Sequence, residues 1–146
     1  MSYPEACTLH EQKELTMSNN APHIAILGAG FAALSAVREL RRRLPQAKIS
    51  LLAPSAEFVY LPSLIWIPPG IRQGSDLIIP LRKFIEKHRV DYRQCTVQGL
   101  ANGGRTVLTD HGEIENDALI IATGGRFLKG MPGIEHALTL CEGVAA

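Results

Sequence analysis

HIAILGAGFAALSAVRELRRRL, residues 23–44, reads as a buried strand, a glycine turn and an amphipathic helix. The run Ile24-Ala25-Ile26-Leu27 is short, continuous and partly β-branched, as a strand covered on both faces should be. It closes at Gly28-Ala29-Gly30-Phe31-Ala32-Ala33, the G-x-G-x-x-A form of a dinucleotide-binding turn. Gly28 permits the tight turn, Gly30 lets a pyrophosphate approach the backbone, and small Ala33 lets helix and strand pack closely. The helix then offers free N–H groups to an anion at its N-terminus. Ala33, Val37, Leu40 and Leu44 fall on one helical face, while Arg38, Glu39 and Arg41 to Arg43 mostly fall elsewhere, the period of a helix lying on a sheet. A merely structural strand-turn-helix is the competing reading. The buried strand before the glycines and the amphipathic helix after them favour nucleotide binding.

At 146 residues the chain is one domain's worth and long enough to bury a core. With 15 basic and 14 acidic residues its net charge is +1, which calls for neither nucleic acid nor an acidic partner. Arg41-Arg42-Arg43 is the one local excess and reads as a solvated helix C-terminus, where cations suit the dipole. No apolar run approaches the roughly 20 residues needed to cross a bilayer, and the first residues lack a charged-then-apolar signal pattern. As it stands the chain reads as cytoplasmic. Cys7, Cys95 and Cys141 are an odd number at unrelated spacings, so neither a disulfide framework nor a metal site is expected.

Residues 1–21 are polar and aperiodic and are expected to form a disordered leader, with residues 22–146 forming the folded domain. After the first helix Pro45 blocks continuation, and Lys48-Ile49-Ser50-Leu51-Leu52 reads as the second strand of a βαβ unit, parallel to the first. Its end is where a dinucleotide-binding fold usually carries an acid for the ribose hydroxyls, about 20 residues past the glycines. Here Ala53-Pro54-Ser55 stands instead, with Ser55 or Glu57 as substitutes. Residues 56–74 form a long, proline-punctuated, apolar segment holding Phe58, Tyr60 and Trp66; it reads either as a wall for a flat aromatic cofactor or as a loop packed over the core.

Leu77-Ile78-Ile79 is expected to be extended, with Pro80 opening a helix to about His88 whose buried face is Leu81, Phe84, Ile85 and His88. His88 reads as a helix C-terminal residue rather than a catalyst. Val90 to Arg93 gives a third parallel strand. Thr96 to Leu100, Arg105 to Thr109 and Glu113 to Glu115, separated by turn signals, predict an antiparallel meander. Ala118-Leu119-Ile120-Ile121-Ala122 reads as a fourth buried parallel strand, ending in Thr123-Gly124-Gly125, which leaves room for a second backbone approach to the same ligand. The fold class is therefore α/β, a Rossmann-like nucleotide-binding domain with a parallel sheet, a βαβ unit and a three-stranded antiparallel meander.

The paired signals GAGFAAL and ALIIATGG, with a meander between them, resemble the FAD-binding domain of the FAD-dependent pyridine nucleotide-disulfide oxidoreductase family. The resemblance implies FAD as cofactor. Its pyrophosphate would lie on Gly28 to Ala33, its adenine near Val97, and the A-T-G turn at Ala122, Thr123 and Gly124 would close over it. Within the family the chain is most similar to the sulfide:quinone oxidoreductase group. The run FVYLPSLIWIPPGIRQGSDLIIPL, residues 58–81, resembles that group's segment beside the flavin ring through Phe58, Pro62, Ser63, Leu64, Gly70, Arg72, Asp76, Pro80 and Leu81. The group often has serine or another residue in place of the ribose acid, which would enlist Ala53, Pro54 and Ser55. Leu138-Thr139-Leu140-Cys141 resembles the segment bearing its first active cysteine, and Cys141 reads as either inert or facing the flavin.

This resemblance implies sulfide as substrate, electrons passing through FAD, and quinone as acceptor. It spans residues 23–141, less than half of such an enzyme. The second dinucleotide domain, the later cysteines and the membrane-binding helices would lie beyond Ala146. A full-length form would be peripheral to the inner face of a membrane through those parts. Three other readings stay open: an NADH:quinone or ferredoxin-reductase-type flavoprotein, a truncated FAD-binding domain without catalysis, and an NADP-binding module, which nearby arginines and the missing ribose acid would suit.

Overall fold

The computed structural model describes residues 21–125, 130, 132–133 and 136. The expected leader, apart from residue 21, lies outside the described residues, as does Cys7. The chain runs β1 (His23–Leu27), α1 (Phe31–Arg43), β2 (Lys48–Ala53), β3 (Glu57–Val59), β4 (Ile78–Pro80), α2 (Arg82–Lys87), β5 (Asp91–Gln94), β6 (Val97–Ala101), β7 (Thr106–Thr109), β8 (Gly112–Glu115) and β9 (Ala118–Ile121). Short 3-10 helices at Leu61–Trp66 and Gly74–Leu77 lie between β3 and β4.

One sheet has the order β5-β2-β1-β9, all parallel. In chain order of its strands this is third, second, first, fourth, the arrangement of a doubly wound dinucleotide-binding half. β6, β7 and β8 form the expected antiparallel meander.

Because side chains alternate along a strand, β1 serves two cores. Ile24 and Ile26 meet Ala33 and Val37 of α1 together with Ile49 and Leu51. Ala25 and Leu27 meet Leu52, Cys95 and Val107 beneath the meander. A fully buried aliphatic side chain contributes about 1.5–3 kcal/mol, whereas an exposed helical ion pair contributes about 0.3–0.5 kcal/mol. Ile26, Ile49, Leu51 and Leu52, all under 2% exposed, therefore outweigh the pairs that Glu39 makes with Arg42 and Arg43. Those guanidinium groups still draw the exposed Glu39 carboxyl down to about 2.

Four expectations are corrected. β9 is parallel to β1 but not buried: it is an end strand of the sheet, and Ile121 is 63% exposed. Leu44 leaves the buried face because α1 ends at Arg43 and Leu44 is its non-helical cap. Pro80 does not open a helix; it pairs with Glu57 at the end of β4, and α2 begins only at Arg82. Arg41 is not a solvated cation but a clamp, donating to the carbonyls of Pro45 (2.7 Å), Ala47 (3.0 Å), His88 (2.9 Å) and Arg89 (3.1 Å). It thereby ties the C-terminal ends of α1 and α2 together. His88 ends α2 as expected.

At the amino ends of the strands the His23 ring nitrogen Nε2 lies 2.8 Å from Ser50 Oγ, and that hydroxyl donates to Asp91 Oδ2 at 3.3 Å. With the hydroxyl hydrogen directed to Asp91, Nε2 is the donor to Ser50. Burial first, then Lys48, hold the imidazole below its ordinary 6.5, outweighing Asp117 and Asp91; burial also lowers His88. The unfolded chain thus binds these protons at higher pH than the folded one. The stability tied to neutral His23 is complete above about pH 6.5 and is lost as pH falls through that value toward the folded-state pKa. Melting curves between about pH 5 and 8 are expected to show a steeper acid loss of Tm in wild type than in His23→Gln. Equal slopes would remove His23 as a source of the pH dependence.

Candidate functional site

The four parallel strands end together at one edge, and main-chain hydrogen bonds carry their ladders past the last strand residues. Gly28 N–H donates to Leu52 O (2.8 Å), Ala122 N–H to Leu27 O (2.9 Å) and Cys95 N–H to Ala53 O (3.2 Å). Between β1 and β9 the strand order reverses, and the carboxyl ends there border a cleft of about 510 Å³. In open α/β sheets ligands bind at that crevice.

Two glycine turns meet in it. Gly28 has φ +104°, and a Cβ built there would lie 2.4 Å from Ala122 O. The first turn is therefore packed directly on the main chain of the second, which only glycine permits. Gly30 differs: it is extended, caps α1 without a side-chain hydrogen bond, and an added Cβ would meet no protein atom within 4 Å. No acidic side chain stands in the first turn of α1. Its orphan N–H groups and dipole are left to an external anion. Both observations fit a pyrophosphate, one supplying donors and the other room.

Of the residues singled out from the sequence, Gly28, Ala29 and Gly30 line this cleft, as do Pro54, Ser55 and Val97, and Ala122, Thr123 and Gly124. Five others do not. Ala33 is fully buried against the sheet, and Ala32 is exposed on α1 away from the cleft wall. Ala53 is 4% exposed, and its carbonyl accepts from Cys95 N–H and, at 3.0 Å, from Tyr92 Oη. Phe31 stands over the hairpin of β3 and β4, edge-on to Phe58 at 4.7 Å and to Tyr60 at 5.9 Å, a packing role in which each such pair is worth about 0.5–1.5 kcal/mol. Pro62 is exposed because the three-residue period of its 3-10 helix turns Leu61 to the cleft and Leu64 into the core instead. Cys141 lies outside the described residues.

Gly125, the second glycine of the later turn, lines the cleft too, and the cleft also has residues that sequence reading did not assign to it: Leu52, Val59, Leu61, Cys95 and Thr96. Phe58 lines it as well, which resolves the reading of the apolar segment: its first part is cleft wall, while Trp66 is exposed elsewhere. Cys95 is inert. Its Sγ lies 3.6 Å from Arg93 O, and burial, followed by Asp110, pushes the thiol up, away from the reactive thiolate.

Among the described residues no arginine, lysine or histidine lines the cleft. Arg41 to Arg43 sit at the far end of the 13-residue α1, about 20 Å from its N-terminus at 1.5 Å per residue. Among the described residues no helix is long and apolar enough to cross a membrane.

The sequence pattern described as "Pyridine nucleotide-disulphide oxidoreductase" matches residues 22–145. The chain is 28% identical over 120 residues to the sulfide-quinone reductase of Aquifex aeolicus, covering 82% of this chain and 28% of that protein. It is 27% identical over 110 residues to the type II NADH:quinone oxidoreductase of Staphylococcus haemolyticus, covering 74% of this chain and 27% of that protein. The solved sulfide:quinone oxidoreductase of Aquifex aeolicus superposes with a TM-score of 0.72 at 28% identity, over 79% of this chain and 27% of that one. The chain thus spans under a third of the length of these relatives.

Proposed function

Because this chain belongs to the pyridine nucleotide-disulphide oxidoreductase family, we propose that its cleft holds FAD and that it is the FAD-binding part of an oxidoreductase passing electrons from sulfide to quinone. The meeting of the two glycine turns at the reversal point, with Gly28 against Ala122 and Gly30 open, is the observation that carries the FAD reading. The first-turn N–H groups of α1 hold the pyrophosphate. Thr96 and Val97 lie along the adenosine end, while Phe58, Val59 and Leu61 form an apolar wall that keeps water from the ring system. FAD bound there supplies two-electron transfer between donor and acceptor. The sulfide assignment rests on the Aquifex relative and on Cys141, proposed as the sulfur group that meets the substrate. Oxidation of sulfide to the level of elemental sulfur releases the two electrons, and with two protons they reduce a quinone to the quinol.

A second reading, an NADH:quinone reductase, is favoured by the staphylococcal relative. Both are tested on the purified chain after incubation with FAD and gel filtration. Retained flavin absorbance is expected, and a colourless protein would overturn the FAD reading. Bleaching by sulfide and not by NADH is the expected next result, with the reverse favouring the second reading. Cys141→Ser is expected to keep the flavin while losing the sulfide response; loss of flavin would instead make Cys141 a structural residue.

A further inference from the structure

Cys95, Thr96 and Val97 line the cleft where the chain leaves the parallel sheet for the meander. On the sheet side, Cys95 N–H still donates to Ala53 O. On the meander side the ladder is interrupted at once. Val97 pairs with Thr109 and Gly99 with Leu108, so Gln98 is an extra, bulged residue of β6. A bulge uncouples the residues before it from the register of the strand beyond, and such irregularities are common beside binding sites. Thr96 and Val97 therefore need a restraint of their own.

Asp110 supplies it. Its Oδ1 accepts from Thr96 N–H at 2.8 Å, and its own N–H donates to Thr96 O at 3.1 Å, so one residue engages both main-chain groups of Thr96. The Thr96 N–H is the main reason the exposed Asp110 carboxyl lies below the usual carboxylate range, outweighing desolvation. The bond is thus made to the ionised form, a charge-assisted contact. Asp110 does not itself line the cleft; it acts through Thr96.

We propose that Asp110 is a positioning residue for the adenosine end of the ligand, holding the wall of Cys95, Thr96 and Val97 in place opposite the glycine turns. The inference rests on the reading of the cleft as an FAD site. With Asp110 in place the wall is ordered before the ligand arrives. Without it the ligand must order the wall on binding, and that cost is subtracted from affinity. Asp110 also opens the turn between β7 and β8, so its test has to separate positioning from the stability of the meander.

The test is equilibrium titration of wild type, Asp110→Ala, Asp110→Asn and Asn102→Ala with FAD, with a melting curve for each. Asn102 is the comparison because its amide ties the other end of the meander, donating to Thr106 Oγ1 at 3.0 Å, and it does not line the cleft. Its φ of +53° makes alanine costly there. Asp110→Ala is expected to weaken FAD about tenfold, and Asp110→Asn, which keeps an oxygen acceptor, to stay within about threefold of wild type. Asn102→Ala is expected to lower Tm and leave FAD affinity unchanged. FAD affinity in Asp110→Ala within about threefold of wild type would overturn the role of Asp110 and leave the FAD reading standing. Equal losses in Asp110→Ala and Asn102→Ala would overturn it as well, assigning the effect to meander stability. Failure of wild type to bind FAD would overturn both the FAD reading and this one.

Discussion

Gly28→Ala is expected to destabilise the folded chain by about 3–5 kcal/mol, at the upper end of single-substitution effects. Two costs add. A side chain at φ +104° carries a left-handed backbone penalty of about 1–2 kcal/mol. The added methyl would also sit 2.4 Å from the carbonyl oxygen of Ala122 and 2.9 Å from its carbon. These are main-chain atoms that cannot rotate aside. Relief requires moving β9 away from β1 and stretching the 2.9 Å bond from Ala122 N–H to Leu27 O. Against a usual total stability of about 5–15 kcal/mol, this leaves little folded protein at elevated temperature. Urea denaturation of the variant and wild type measures it directly, and a difference under about 1 kcal/mol would show that the two turns do not pack as described.

Gly30→Val has the opposite signature: the fold survives and ligand binding is lost. The residue is extended at φ −82° and ψ −173°, a conformation open to valine, and no protein atom lies within 4 Å of the new Cβ. The folded-state cost is confined to a poorer helix cap, about 1 kcal/mol or less. The isopropyl group instead occupies the space at the N-terminus of α1 where a pyrophosphate must approach. Each charge-assisted hydrogen bond lost is worth about 1.5–3 kcal/mol. Two such losses weaken FAD by about 100-fold or more. Equilibrium binding alongside urea denaturation separates the two glycines. FAD affinity within about threefold of wild type would move the pyrophosphate away from this turn.

These two glycines stand one residue apart in a single motif, yet one is a packing contact and the other open space. The motif alone assigns Gly28 to the turn but cannot reveal that the turn rests on Ala122, because that neighbour comes from the far end of the chain. The same holds for Glu57. Its acid type is plain in the sequence, but that it lines the cleft while Arg41 to Arg43 sit at the far end of α1 is decided by the tertiary structure. Pro62 went astray for a more local reason, since a 3-10 helix of period three turns Leu61 to the cleft and Leu64 into the core, and residues 56–74 give no periodic signal from which to read that period.

By itself the sequence determined the parallel strands, the two glycine turns, the amphipathic α1 and the meander. Strand alternation, helical period and turn chemistry are local properties that neighbouring residues specify without reference to the rest of the chain. Only the tertiary structure decided that β9 is a half-exposed end strand, that Arg41 clamps two helix ends, that Phe31 packs on the β3 hairpin and that Glu57 lines the same cleft as the glycine turns. Each of these depends on contacts between segments distant in sequence, whose geometry is set by how the sheet and its two covering layers pack.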